Sequence, residues 1–188
     1  MLLFQKQPVL MLTLFNYTKK KKKFNKPTDA PTNGYFDPHR SAGLHYCRAV
    51  VEEGLRLRPA APTTFFHYST RESALLGYRI PMATNLQINL WSALRDPDVW
   101  APDPDSFRPE RHLDENGRFN PTNEVVTFGG GRRKCGGFPV AKRGILSLVV
   151  NLIGNFEAGF EEEDDLGEGE SLILYAPPKF NVHLKLRE

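Results

Sequence analysis

Cysteine is scarce in this chain of 188 residues: there are two, Cys47 and Cys135, widely separated. That scarcity excludes a disulfide framework and fits a reducing compartment. It also excludes a zinc site of the several-cysteine kind, which needs its ligands at close spacing. Long apolar runs are missing too, since none reaches the roughly eighteen residues of a membrane-spanning helix. Met1 to Tyr17 is apolar only in patches, broken by Gln5, Lys6, Gln7, Pro8 and Asn16, so it reads poorly as a signal anchor. Net charge is low, at +3, too little to argue for nucleic acid as a partner. What remains, 40% apolar and 25% charged residues, is the composition of an ordinary globular protein with one core.

Much of the positive charge sits in one run, Lys19 to Lys23, followed by a Pro-, Asn- and Thr-rich passage through Gly34. A polybasic tract after apolar residues is able to touch an anionic membrane surface. The simpler reading takes residues 1–40 as a disordered segment.

Glycine, by contrast, is concentrated. Phe128 to Gly137 reads Phe-Gly-Gly-Gly-Arg-Arg-Lys-Cys-Gly-Gly, and an apolar helical pattern follows it. A loop of this kind brings backbone N–H groups, cations and one thiol to a single point, surroundings that favour the thiolate. Such a thiolate can be a nucleophile or a metal ligand. A phosphate-cradling loop would end in Gly-Lys-Ser or Gly-Lys-Thr, whereas Lys134 here is followed by Cys135.

The spacing Phe128-x-x-Gly131-x-Arg133-x-Cys135-x-Gly137 resembles the haem-binding loop of the cytochromes P450. The resemblance implies that Cys135 is the axial thiolate ligand of haem iron, with Phe128 shielding the sulfur. It implies that Gly131 serves a turn, that Arg133 pairs with a haem propionate, and that Gly137 lets the next helix pass close to the porphyrin. Gly136 and Gly144 depart from the family pattern, which has an apolar residue and a Glu at those places.

Other stretches carry the same resemblance. Leu44, Cys47, Val50, Val51 and Leu55 recur at helical intervals between Ser41 and Arg58, and Pro59 ends the helix. On it, Glu53-Gly54-Leu55-Arg56 puts a carboxylate and a guanidinium on one face. This resembles the Glu-x-x-Arg helix of the family. Phe107-Arg108-Pro109-Glu110-Arg111-His112 resembles its Phe-x-Pro-Glu-Arg-Phe segment, with His112 in place of the last aromatic residue. The resemblance then places Glu53, Arg56 and Arg111 in one buried charge cluster.

Gly77-Tyr78-Arg79-Ile80-Pro81 with Thr84 resembles a family hairpin, where Met82-Ala83 replaces Lys-Gly and puts the turn geometry in question. His67 falls where a second propionate ligand is often found. Leu86, Ile88 and Leu90 alternate as in a half-buried strand. The stretch from Arg95 to Asp105 is too proline-rich for helix or central strand. Ile145, Leu148, Val149, Leu152, Ile153 and Phe156 follow Cys135 at helical spacing. Glu161 to Glu170 reads as a solvated acidic loop. Leu172 to Leu174 and Val182 to Leu186 read as the two strands of a closing hairpin.

The expected fold is therefore mainly α with small β-sheets (α+β), similar to the C-terminal part of the P450 fold over residues 41–188, with residues 1–40 non-homologous. The resemblance is to eukaryotic members, with a fungal source as one reading. It implies haem b (iron protoporphyrin IX), an NADPH-dependent reductase as electron donor, and a small, lipophilic organic substrate. It implies insertion of one oxygen atom from O2 by a haem-thiolate monooxygenase, and a place at the endoplasmic reticulum membrane; without an anchor, the cytoplasm is expected. Arg132, Arg133, Lys134, Lys142 and Arg143 form a candidate docking face for an acidic redox partner. The segments that resemble the family do not include its oxygen-activating distal helix, so no turnover by this chain alone is expected. The alternatives are a non-catalytic haem-binding or interaction fragment, and a gene fragment that does not fold alone.

Overall fold

The computed structural model describes residues 43–120, 125–159, 170–171, 174–176 and 182–187. Residues 1–40, and all of the acidic stretch except Glu170, lie outside the described residues.

Helix α1, His45–Leu57, forms where the apolar stripe predicted it. Its C-cap, Arg58, leaves the helical region at φ −134° and ψ 66°, as a residue before proline must. From Ala49 to Leu57 every residue is buried, including Glu52, Glu53 and Arg56. From Ala49 onward the helix is thus enclosed on all sides, although its sequence reads as amphipathic.

After α1 the chain runs through Pro62–Tyr68 alongside Asn85–Trp91 in antiparallel sense. Strand β1 (His67–Tyr68) pairs with β4 (Asn85–Leu86), and Thr64 N–H donates to Ile88 O at 3.0 Å. Between them, β2 (Ser73–Leu75) and β3 (Tyr78–Ile80) form a hairpin around Leu76 and Gly77, both at positive φ (50° and 84°). A two-residue turn with positive φ at both positions matches the right-handed twist of its strands. The questioned turn is kept as well: Ala83 adopts φ 63°, and its N–H donates to Ser69 O at 2.8 Å.

Two expectations from the sequence are corrected here. Leu90 does not extend the strand. It opens a one-turn helix, α2 (Leu90–Ala93), because Asn89 caps it by accepting from Ser92 N–H at 3.0 Å. The proline-rich stretch also contains a helical turn, α3 (Pro97–Trp100). Pro97 stands in the first turn, where its missing N–H costs nothing, and the Asp96 side chain accepts from Asp98 N–H at 2.9 Å.

Helix α4, Phe138–Asn155, follows the glycine-rich loop, with Gly137 as N-cap and Pro139 in its first turn. It packs on α1 through Ile145, Leu146, Val149, Val150 and Ile153 against Leu44, Cys47, Val50, Val51 and Leu55. Fully burying an aliphatic side chain of this size contributes about 1.5–3 kcal/mol, so this interface is the main core.

The C-terminal pairing differs from expectation. Phe156 leaves the helix and begins β5 (Phe156–Gly159), whose antiparallel partner is β8 (His183–Leu186). Among the described residues the partner of His183–Leu186 is thus β5; residues 172–173 of the expected hairpin lie outside the described residues. A separate short pair joins β6 (Glu170–Ser171) to β7 (Tyr175–Ala176). Four two-stranded sheets and a dominant helix pair make the described part mainly α with small β-sheets, the expected class.

Candidate haem-thiolate site

The glycine-rich loop is closed by one backbone bond: Cys135 N–H donates to Phe128 O at 2.9 Å. Between these ends the chain needs positive φ at Gly129 (73°) and Gly131 (61°), followed by a 3-10 turn over Gly131–Arg133. Glycine adopts that region without the steric penalty a Cβ brings. At its far end Phe138 N–H donates to Cys135 O at 3.2 Å, and Ala141 N–H donates to Gly137 O at 3.0 Å. The cysteine backbone is thus continuous with the first turn of α4.

Cys135 is exposed, whereas Cys47 is buried in the α1–α4 core. Burial pushes the Cys47 thiol up to about 11, leaving it protonated at neutral pH. Around Cys135 there is room. A Cβ built on Gly129, Gly130, Gly131 or Gly136 would meet nothing within 4 Å, and one on Gly137 would meet only the Cys135 Sγ, at 3.9 Å. An exposed sulfur on a strip of glycine backbone is a cradle suited to a large planar ligand. The loop is anchored from below by Phe128, which packs on the α1–α4 core and lies 6.3 Å from the Phe138 ring. Lys134 Nζ sits 4.0 Å from the Phe138 ring centre. Arg132 and Arg133 are exposed. His67 is half-buried on β1, opposite Leu86.

The second assembly is the charge cluster, and the structure brings Glu53, Arg56 and Arg111 together as expected. Arg56 grips Glu53 with two bonds of 2.9 Å, Nε to Oε2 and Nη2 to Oε1. Arg111 Nε adds one to Oε1 at 3.1 Å, and Arg108 N–H another at 2.9 Å. The remaining guanidinium protons tie down the meander that follows α2. Arg56 Nη1 donates to Leu94 O and Pro104 O, both at 2.7 Å, and Arg111 Nη1 and Nη2 donate to Trp100 O (3.1 Å) and Asp103 O (2.9 Å). The Trp100 ring, 4.9 Å from the Arg56 guanidinium carbon, forms one wall.

Sequence reasoning missed a fourth member. His112, treated as a substitute for an aromatic residue, is completely buried and its Nε2 lies 2.9 Å from Glu53 Oε2. Burial alone would raise the Glu53 carboxyl. Hydrogen bonds from His112, Arg56 and the Arg108 N–H, with the Arg56 charge, overcome it and hold the group at about 2. No signal in the local sequence singled out His112, because its partner lies 59 positions away.

The carboxylate at Glu52 was missed as well. It is buried and forms an ion pair with Lys142 of α4. Of the expected docking residues, Lys142 is half-buried and paired with Glu52, while Arg132, Arg133, Lys134 and Arg143 are exposed.

A family model described as Cytochrome P450 matches residues 38–184. The chain belongs to the cytochrome P450 family. Curated relatives agree. Carnosic acid synthase of Rosmarinus officinalis is 42% identical over 120 residues, 63% of this chain and 24% of the relative. The 11-hydroxysugiol 20-monooxygenase of Salvia miltiorrhiza is 41% identical over 122 residues, 64% of this chain and 24% of the relative. Iridoid oxidase of Catharanthus roseus is 37% identical over 150 residues, 77% of this chain and 29% of the relative. These are plant proteins, which corrects the fungal reading. The chain spans about a quarter of the length of the curated relatives it matches. Membership in the P450 family implies a haem iron cofactor held by a cysteine thiolate, and the exposed Cys135 on its glycine strip fits that role.

Proposed function

We propose that this chain carries the thiolate side of a haem-thiolate monooxygenase, with Cys135 as the axial ligand of haem b. The observation that carries the reading is the loop itself. It has one exposed sulfur, glycine on both sides, and a backbone tied at Phe128 and at the start of α4.

In this reading Phe128 covers the sulfur from the core side and limits water there. Gly131 makes the turn that presents Cys135. Gly137 keeps the approach of α4 free of a side chain. Arg133 and His67 bind the two propionates. The Glu53–Arg56–Arg111 cluster holds the meander against α1, so that Phe107 and Phe128 rest on one core. When bound, the haem iron supplies the activation of O2 and the insertion of one oxygen atom into the substrate.

The partners we propose are an NADPH-dependent reductase, meeting the exposed cations Arg132, Arg133, Lys134 and Arg143, and a small lipophilic substrate. We place the protein at the endoplasmic reticulum membrane. No helix among the described residues is long and apolar enough to cross a membrane, so this placement rests on the family.

The test is an absorption spectrum of the purified chain with added haem, reduced and bound to carbon monoxide. A Soret band at the thiolate position, lost in Cys135→Ala, is the expected result. A band unchanged by Cys135→Ala would overturn the ligand assignment. A coupled reductase assay then separates a monooxygenase from a haem-binding fragment without turnover.

A further inference from the structure

Two adjacent carboxylates on α1 serve different masters: Glu53 faces the meander, while Glu52 reaches across to α4. The Glu52 side chain is 6% exposed and its Oε1 pairs with Lys142 Nζ, whose side chain is 33% exposed. The other oxygen, Oε2, is buried and has no hydrogen-bond partner among the described residues. Lys142 lies in the second turn of α4, seven positions after Cys135. The intervening backbone is rigidly linked, through Phe138 N–H to Cys135 O and Ala141 N–H to Gly137 O.

We infer that Glu52 and Lys142 are a positioning pair that sets the start of α4 on α1 and so holds Cys135 in register for its ligand. This inference rests on the haem-thiolate reading above. The pair is asymmetric. Lys142 without Glu52 turns to water along its exposed side, as a long ammonium-tipped chain readily does. Glu52 without Lys142 stays buried as a carboxylate lacking its cation, a state far costlier than the absence of both charges. Relief comes by moving the end of α4, and Cys135 moves with it.

The experiment compares wild type, Lys142→Met, Glu52→Gln, the double variant and Lys142→Arg, each as the full chain. Two quantities are read: the fraction of added haem that shows the thiolate-type carbon monoxide spectrum, and the melting midpoint without haem. Lys142→Met is expected to lower the thiolate fraction several-fold and to lower the midpoint. Glu52→Gln and Lys142→Arg remain near wild type, and the double variant recovers most of both losses. A Lys142→Met chain that fails to fold while the double variant folds supports the inference equally. An unchanged thiolate fraction in Lys142→Met, as a purely docking lysine would give, overturns it. So does a double variant no better than Lys142→Met. A wild type without any thiolate band overturns the haem reading itself, which distinguishes that failure from failure of the pair.

Discussion

Replacing Glu53 by Gln tests the energetic centre of the structure. The carboxylate has no exposed surface and accepts from Arg56, Arg111, His112 and the Arg108 N–H. Its folded-state value of about 2 lies below the ordinary 4.5. At about 1.36 kcal/mol per unit, that gap corresponds to about 3 kcal/mol of stability contributed by the ionised group. Because the folded value is depressed, the contribution is complete above roughly pH 5 and is lost as pH falls toward about 2. Gln keeps the shape but removes the charge, leaving the fully buried Arg56 and the mostly buried Arg111 without a counter-ion. Breaking a buried pair in this way typically costs about 3–5 kcal/mol. For a chain of this size that lowers the melting midpoint by roughly 6–20 °C. The assay is urea unfolding at 25 °C between pH 7 and pH 3, for wild type and Glu53→Gln. Wild type is expected to lose stability steeply below pH 5, and the variant to start lower and fall less. A loss at pH 7 under about 1 kcal/mol, the scale of a surface pair, would refute the argument that this cluster is desolvated and fully engaged.

His112→Phe removes a bond to Glu53 worth about 1.5–3 kcal/mol. It also removes Nδ1, a buried atom with no partner among the described residues, so thermal unfolding should show a net change within about 1.5 kcal/mol. Ala83→Gly should stabilise by about 1 kcal/mol, because Ala83 is held at φ 63° and left-handed backbone costs a non-glycine residue about 1–2 kcal/mol; a lowered midpoint would contradict it. A thiol reagent applied to the folded chain should label Cys135 rapidly and Cys47 only on unfolding, since Cys47 is buried with its thiol pushed up to about 11. Mass spectrometry of the two cysteine peptides decides it.

Phe128 to Pro139 shows why the loop around Cys135 was legible in the sequence. Its meaning is local: glycines that permit positive φ, a lone thiol, and a proline confined to the first turn of a helix all act within about a dozen positions. The stripe from Leu44 to Leu55 was legible for the same reason, helical periodicity being a short-range signal. Leu90 and Pro97 were misread where a single capping side chain, Asn89 or Asp96, outweighed a run of alternation or a count of prolines. Phe156 kept the helical spacing of α4, yet pairing with Leu186, 30 positions on, took it into a strand.

The α1 stripe, the turn-rich loop around Cys135, the companionship of Glu53 with Arg56 and the family to which these motifs point are all legible in the order of residues. Each depends on bond rotations and spacings within one or two turns of chain. Only the folded arrangement shows that Glu52 answers to Lys142 and that His112 completes the Glu53 cluster. Burial and charge pairing are properties of what folds against a residue, and for these groups the partners lie 59 and 90 positions away.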